Sequence, residues 1–378
     1  MTPVTLSPAR RRTCGGSAQL TISGCRTVEG ARHGVSFGLK AAIAIITAVL
    51  AAAALAQASQ VFAPLAAAIF IIAVVWPIQR RLQRWMPKLA ALAITIVITV
   101  TVCFALASLA AWGFGRVGHS LLADLARYQA FYEATVAWLD GHGVSVAALW
   151  AEHFNVGWLL RATQYVTGRL NTTLTFWVIA LVYVMLGLLE VDDIRRRIQR
   201  LENRTAAAVL LDGGAATAAK LRWFLMVRTL MSAVTGLLVG AFAWITGLPF
   251  ALEWGVIAFV LNYIPFIGPF IATLFPTLLA MTQFESWPAV FGLFVCLNVI
   301  QFAVGSYIEP RVAGNMLSIS PMLVLFAIFF WTFLWGLFGT FIGVPITLAI
   351  LTFCAAHPSS RWIADLLGGP DEVKPGKS

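Results

Sequence analysis

Between Trp223 and His357 the chain carries only five charged residues: Arg228, Glu253, Glu285, Glu309 and Arg311. A stretch that long and that poor in charge belongs in lipid rather than in water. A spanning helix takes about 20 predominantly apolar residues, and this stretch holds several in succession. In a bilayer every backbone N–H and C=O needs a partner inside the protein. Any break in a helix is therefore costly there, and each break in this stretch asks for a reason.

Composition extends the argument to the whole chain. Its 378 residues are 60% hydrophobic and 11% charged, with mean hydropathy +0.85. A soluble domain carries about 25% charged residues. The fold class is all-α, a polytopic membrane protein. Apolar runs near 39–56, 60–78, 89–112, 172–190, 225–247, 252–283, 287–308 and 321–356 predict about eight transmembrane segments. The net charge of +10 lies in short clusters beside those runs, so it reads as an orientation signal and not as a footprint for nucleic acid. Cysteines occur at 14, 25, 103, 296 and 354. They are scattered, and three sit in apolar runs, as small hydrophobes do.

The chain divides accordingly. Residues 1–37 form a polar tail, and 38–112 hold the first three spans. Residues 113–170 form an external insert, 171–357 a transport core, and 358–378 a second tail. Arginine asymmetry sets the orientation. Arg80, Arg81, Arg84 and Lys88 form one cluster, and Arg195, Arg196, Arg197, Arg200 and Arg204 another. These place both clusters and both termini in the cytoplasm. In the insert, Leu121, Leu125, Tyr128 and Tyr132 fall on one helical face, which predicts amphipathic helices that act either as a cap or as an oligomer contact. Ile194, Ile198 and Leu201 alternate with arginines, which predicts a basic amphipathic helix within 191–222. It serves either topology or a partner.

Two apolar runs are interrupted. From Leu261 to Pro269 the chain reads Leu-Asn-Tyr-Ile-Pro-Phe-Ile-Gly-Pro. Pro265 frees the carbonyl of Leu261 and Pro269 that of Pro265, because proline brings no N–H and clashes with the carbonyl four residues back. Unwound carbonyls beside a half-helix end can hold a small cation or a hydroxylated solute, and Asn262 adds an amide. Gly268 belongs to the same break. The second interruption lies around Gly336, Gly339 and Pro345. Each run reads either as a broken span or as a helical hairpin. Gly236 with Gly240, and Gly339 with Gly343, have the spacing that admits close helix contact.

Ionisable residues at membrane depth default to function. Glu309 and Arg311 flank Pro310 and can pair with each other or hold a polar substrate. Asn298, Gln301 and Ser306 lie toward the same end of that helix. Arg228 either belongs to the site or snorkels to the cytoplasmic face. Glu253 and Glu285 mark interfaces. The candidate binding residues are thus Arg228, Asn262, Pro265, Gly268, Pro269, Gln301, Glu309 and Arg311. No nucleotide-binding loop occurs: at the closing Gly376-Lys377-Ser378, Asp371 stands where the first glycine belongs. The histidines at 33, 119, 142, 153 and 357 lack metal-ligand spacing. These patterns point away from an enzyme, a metal or any other cofactor.

Taken in order, the motifs resemble a known family. Arg222-Trp223 through Leu230 with Thr235-Gly236 is similar to the entry to its fifth span, and Gly247-Leu248-Pro249 to its short external turn. Asn262 to Pro269, Gln301-Phe302, and Ile308 to Arg311 with Gly314 follow. Ser320-Pro321, Trp335-Gly336, Gly339 and Val344-Pro345 complete the series. The chain resembles the autoinducer-2 exporter family, the PerM-like permeases of bacteria, over most of residues 38–357. The resemblance implies a homo-oligomeric inner-membrane transporter of small solutes that works without ATP. Members are linked to autoinducer-2 export and to sodium/proton antiport. Ser306 stands where asparagine is common, and Val304 where some members carry an acid. Three readings stay open: an exporter of a small polar solute, an antiporter exchanging a monovalent cation for protons on Glu309, and a membrane scaffold.

Overall fold

The computed structural model describes residues 39, 42–43, 45–123, 141, 157–284, 286–314, 319–357 and 360–368. The expected tail 1–37 and most of the insert, including Tyr128 and Tyr132, lie outside the described residues, as does Glu285.

One short apolar helix, α1 (Ile45–Gln57), belongs to a first unit, Met1–Gln57. The rest of the described chain forms a second unit. It begins with α2 (Ser59–Leu82), α3 (Lys88–Ala123), α4 (Gly157–Gln199) and α5 (Arg204–Ile245). Two short helices follow, α6 (Ala251–Leu261) and α7 (Ile267–Gln283). Then come α8 (Trp287–Phe302), a π-helical turn (Ala303–Ile308) and α9 (Glu309–Ala313). The order closes with α10 (Pro321–Ala356) and α11 (Arg361–Leu367). Among the described residues six helical stretches are long and apolar enough to cross a membrane, one of them α8 with the π-helical turn and α9, and three more are apolar but shorter. Among the described residues the only β pairing is an isolated bridge between Ile319 and Gly368. The protein is an all-α polytopic membrane protein.

Helix ends follow local chemistry. The Asn203 side chain accepts from the Ala206 N–H at 3.0 Å and starts α5. The Ser320 hydroxyl accepts from the Leu323 N–H at 3.2 Å and starts α10, with Pro321 at its first turn. Both are N-caps that satisfy an otherwise orphaned amide. The segment 191–222 is not one helix. With no proline between Gly187 and Gln199, α4 runs on through the arginines to Gln199, and α5 begins at Arg204.

The 252–283 run is split. α6 has 11 residues and α7 has 17, about 16 and 25 Å at 1.5 Å per residue. Both fall short of a hydrocarbon core of about 30 Å. They pack against each other and meet in a tight turn. A Cβ on Gly268 would lie 1.9 Å from the Leu261 carbonyl oxygen, so only glycine lets the chain close there.

The 321–356 run is folded back as well. Gly336 takes φ 62° and ψ −141° in the middle of α10. The Trp331 indole N–H donates to the Thr347 hydroxyl at 3.1 Å, and the Thr332 and Thr340 hydroxyls meet at 2.8 Å. In a straight helix Trp331 and Thr347 would stand about 24 Å apart along the axis. A Cβ on Gly339 would lie 1.8 Å from the Trp331 carbonyl oxygen. The hairpin reading therefore holds for both interrupted runs.

Around these hairpins the packing is close. Gly236 and Gly240 of α5 receive Gly255 of α6, where a Cβ on Gly236 would come within 2.7 Å of the Gly255 carbonyl oxygen. Ala68, Leu92, Val184 and Leu188 form a buried cluster between α2, α3 and α4. Leu221 and Phe224 of α5 pack with Ile328, Val344 and Leu348 of the α10 hairpin. At the tip of that hairpin Phe338 stacks on Phe176 of α4, with centroids 3.6 Å apart. The Arg222 guanidinium donates to the Ala73 carbonyl at 2.9 Å, and the Trp223 indole to the Ala313 carbonyl at 2.9 Å. α5 is thus the central post, touching α2, α6, α8, α9 and α10.

Candidate functional site

One face of α5 carries polar side chains at helical spacing, namely Arg228, Ser232 and Thr235. Each interrupted element beside α5 brings a polar group to that face. From α9, Glu309 pairs with Arg228: Nη1 of Arg228 lies 3.1 Å from Oε1 and 3.2 Å from Oε2. The two side chains are 12% and 21% exposed. The guanidinium also lies 5.8 Å from the centroid of Phe224, and its Nε is buried without a partner.

From the turn between α6 and α7, the Asn262 amide donates to the Ser232 hydroxyl at 3.4 Å, both side chains being buried. Next to it the Tyr263 hydroxyl bonds that of Thr229 at 3.0 Å. From α8, Gln301 is 8% exposed and its Nε2 has no partner. Thr235 is fully buried, and its hydroxyl also lacks a partner.

Packing fixes the level of Gln301. Val304, after it, clusters with Val227 and Met231. Leu297, before it, belongs to the cluster of Val239. On α8, Gln301 lies between a residue that packs on Val227 and Met231 and one that shares a cluster with Val239, and on α5 Ser232 and Thr235 lie between those same residues. The result is a polar layer between two apolar clusters, with the Arg228–Glu309 pair at its edge.

The π-helical turn explains how α8 and α9 contribute together. Residues eight apart on an ideal α-helix diverge by about 80°, and one extra residue in a turn takes back about 100°. Gln301 and Glu309 are thereby brought to one side.

Not every expected residue joins this layer. Arg311 is exposed, its guanidinium 3.7 Å from the centroid of the Tyr307 ring. It does not pair with Glu309, which faces Arg228 instead. Arg228 does not snorkel. Asn298 is exposed and donates to the Phe294 carbonyl of its own helix at 2.8 Å, and Ser306 is exposed. The carbonyls freed by proline are taken up locally. That of Leu261 accepts the Ile264 N–H at 2.9 Å, and that of Pro265 accepts the Ile267 N–H at 2.7 Å. Pro265 and Gly268 shape the turn, and Pro269 sits in the first turn of α7, where its missing N–H costs little. Glu253 is buried and pairs with Arg116 of α3 at 3.2 Å, far along α6 from Asn262.

Residues 43–359 match the AI-2E family transporter model. The chain belongs to the AI-2E transporter family. It is 26% identical over 337 residues to "AI-2 transport protein TqsA" of Escherichia coli K12, covering 87% of this chain and 96% of that one. A "Putative transport protein" of Borreliella burgdorferi is 37% identical over 128 residues, 34% of this chain and 35% of that one. Another of the same description from Haemophilus influenzae is 31% identical over 153 residues, 40% and 43% of the two chains. The last two matches thus span well under half of either protein. This AI-2E family member is a multi-pass membrane transporter.

Sequence reasoning passed over Ser232, Thr235, Thr229 and Tyr263. The spacing of Arg228, Ser232 and Thr235 was the available signal. A hydroxyl in a spanning helix commonly bonds the carbonyl four residues back, as Thr229 does with Leu225 at 2.8 Å, so the pattern alone did not mark a site. Among the described residues Gln79, Gln83, Thr95 and Thr217 also hold buried polar atoms without partners. They lie on α2, α3, the loop between them and the first half of α5. No group of metal-binding side chains occurs among the described residues.

Proposed function

We propose that this chain is a secondary transporter that exports a small polar solute, and that the solute passes through the polar layer on α5. The carrying observation is the placement of buried, unpaired polar groups, Gln301 Nε2, Thr235 Oγ1 and Arg228 Nε, where two interrupted elements meet one helix. Unpaired polar groups at membrane depth are costly. Discontinuous helices beside a central helix are a common setting for a transported ligand. The same reading puts the protein in the bacterial inner membrane, as an assembly of copies of the chain, with both termini cytoplasmic. It works as a permease, with no chemical step on the solute. The name of the Escherichia coli relative, AI-2 transport protein, makes autoinducer-2 the first solute to try.

The test is flux in sealed vesicles holding the purified protein. Labelled autoinducer-2 should move under an imposed ion gradient, and Asn262→Leu should reduce the initial rate several-fold. A wild-type rate equal to that of empty vesicles would rule out this solute and, once a panel of small polar solutes had failed, the reading itself. Cation/proton antiport on Glu309 keeps a place because that carboxylate is buried beside the layer. An internal pH dye in the same vesicles, with Glu309→Gln as control, separates the two.

A further inference from the structure

We infer that Gln301 and Arg228 select the ligand: their unpaired N–H groups take oxygen acceptors of a small neutral or anionic solute, and Glu309 is a fixed counter-charge that positions Arg228. The inference rests on the transport reading only for its route, not for its chemistry.

The inventory of the layer carries it. Arg228 Nε and Gln301 Nε2 can only donate, and the Thr235 hydroxyl can donate or accept. These three buried groups have no partner. The carboxylate, the Ser232 hydroxyl and the carbonyls of the turn, by contrast, are engaged. Both carboxylate oxygens of Glu309 face Arg228 Nη1, and the Ser232 hydroxyl accepts from Asn262. The carbonyls of Leu261 and Pro265 accept from Ile264 and Ile267. A sodium ion or other hard cation is best held by charged oxygen ligands, and the single acid at this layer, Glu309, already faces Arg228. With that carboxylate balanced by Arg228, a cation would meet a place of zero net charge, whereas an oxygen acceptor would meet the two unpaired N–H groups. Between Gln301 and Glu309 the sequence holds no acid, and Val304, 1% exposed, clusters with Val227 and Met231 of α5. A hydroxyl, carbonyl or carboxylate oxygen fits what is left unpaired.

A structural glutamine and a ligand-reading glutamine differ in what their loss does. Removing a partner that stabilises the fold lowers stability, whereas removing a buried unpaired donor raises it. The experiment uses the full-length protein in nanodiscs, with thermal unfolding and equilibrium binding of labelled autoinducer-2, and with lactate and sodium chloride as further probes. Gln301→Leu is expected to unfold at a higher temperature than wild type and to bind autoinducer-2 or lactate about ten-fold more weakly, the loss of one good hydrogen bond. Arg228→Lys keeps the charge opposite Glu309 and removes Nε, so it should weaken the same binding about ten-fold with little change in unfolding. Wild-type affinity in both variants, or a lower unfolding temperature in Gln301→Leu, overturns the inference. So does saturable sodium binding lost in Glu309→Gln, or no binding of either organic probe at millimolar concentration. If binding follows the variants while sealed vesicles show no flux, the assignment of Gln301 and Arg228 stands and the transport reading falls.

Discussion

Arg228 and Glu309 are 81 positions apart and share a nearly closed contact. Losing one member of a buried pair strands the other, which typically costs about 3–5 kcal/mol, whereas an apolar pair of similar volume is often neutral. Arg228→Ala should therefore lower stability by roughly 3 kcal/mol, and Arg228→Met with Glu309→Leu should recover most of it. Thermal unfolding in mild detergent measures both. A double variant as unstable as the single one would mean that the charges are not coupled. The sequence marked each residue correctly as a rare ionisable group in an apolar run. It suggested Arg311 as a possible partner of Glu309 because the two are neighbours along the chain. The actual partner lies on α5, and nothing local to residues 301–311 reports it.

At the scale of elements, prolines and glycines announced where helices stop but left the path of the chain afterwards open. The turn after Leu261 closes because Gly268 has no Cβ to meet the Leu261 carbonyl oxygen, which would lie 1.9 Å away. Gly268→Ala should open that turn, destabilising the protein by about 3 kcal/mol or abolishing folded yield, in line with the upper range for backbone strain. Gly292→Ala on α8, where an added Cβ meets nothing within 4 Å, should be silent. Folded yield by size exclusion compares the two. The α10 hairpin makes a sharper prediction. Thr332→Cys with Thr340→Cys should form a disulfide on mild oxidation, since the native hydroxyls sit 2.8 Å apart. A continuous helix would hold the same positions about 12 Å apart along its axis and leave both thiols free to alkylation.

For the whole molecule the open matter is which way it faces. The Lys88 ammonium donates to the Leu189 carbonyl at 2.8 Å, so the basic loop after α2 and the basic end of α4 lie at the same end of the bundle. Arg80, Arg81 and Arg84 therefore cluster with Arg195, Arg196, Arg197 and Arg200, as a cytoplasmic face would. In a cysteine-free background, Arg200→Cys should react with a membrane-impermeant maleimide only after the cells are permeabilised. His119→Cys, on an exposed position near the far end of α3, should react in intact cells. The opposite labelling pattern would invert the topology.

What the residues determined by themselves is the class of fold. Apolar runs of spanning length, arginine clusters between them, and ordered motifs around Asn262–Pro269 and Glu309–Arg311 depend on composition and spacing along the chain, and those can be read without coordinates. The tertiary structure decided how the interrupted runs fold back, which partner Glu309 takes, and that Gln301, Thr235 and Arg228 keep buried groups unpaired. Those facts arise from contacts between helices distant in sequence. In an apolar chain many faces look equally suited to packing, so local pattern cannot choose among them. Glycine-sized gaps, a π-helical turn and one buried ion pair make the choice.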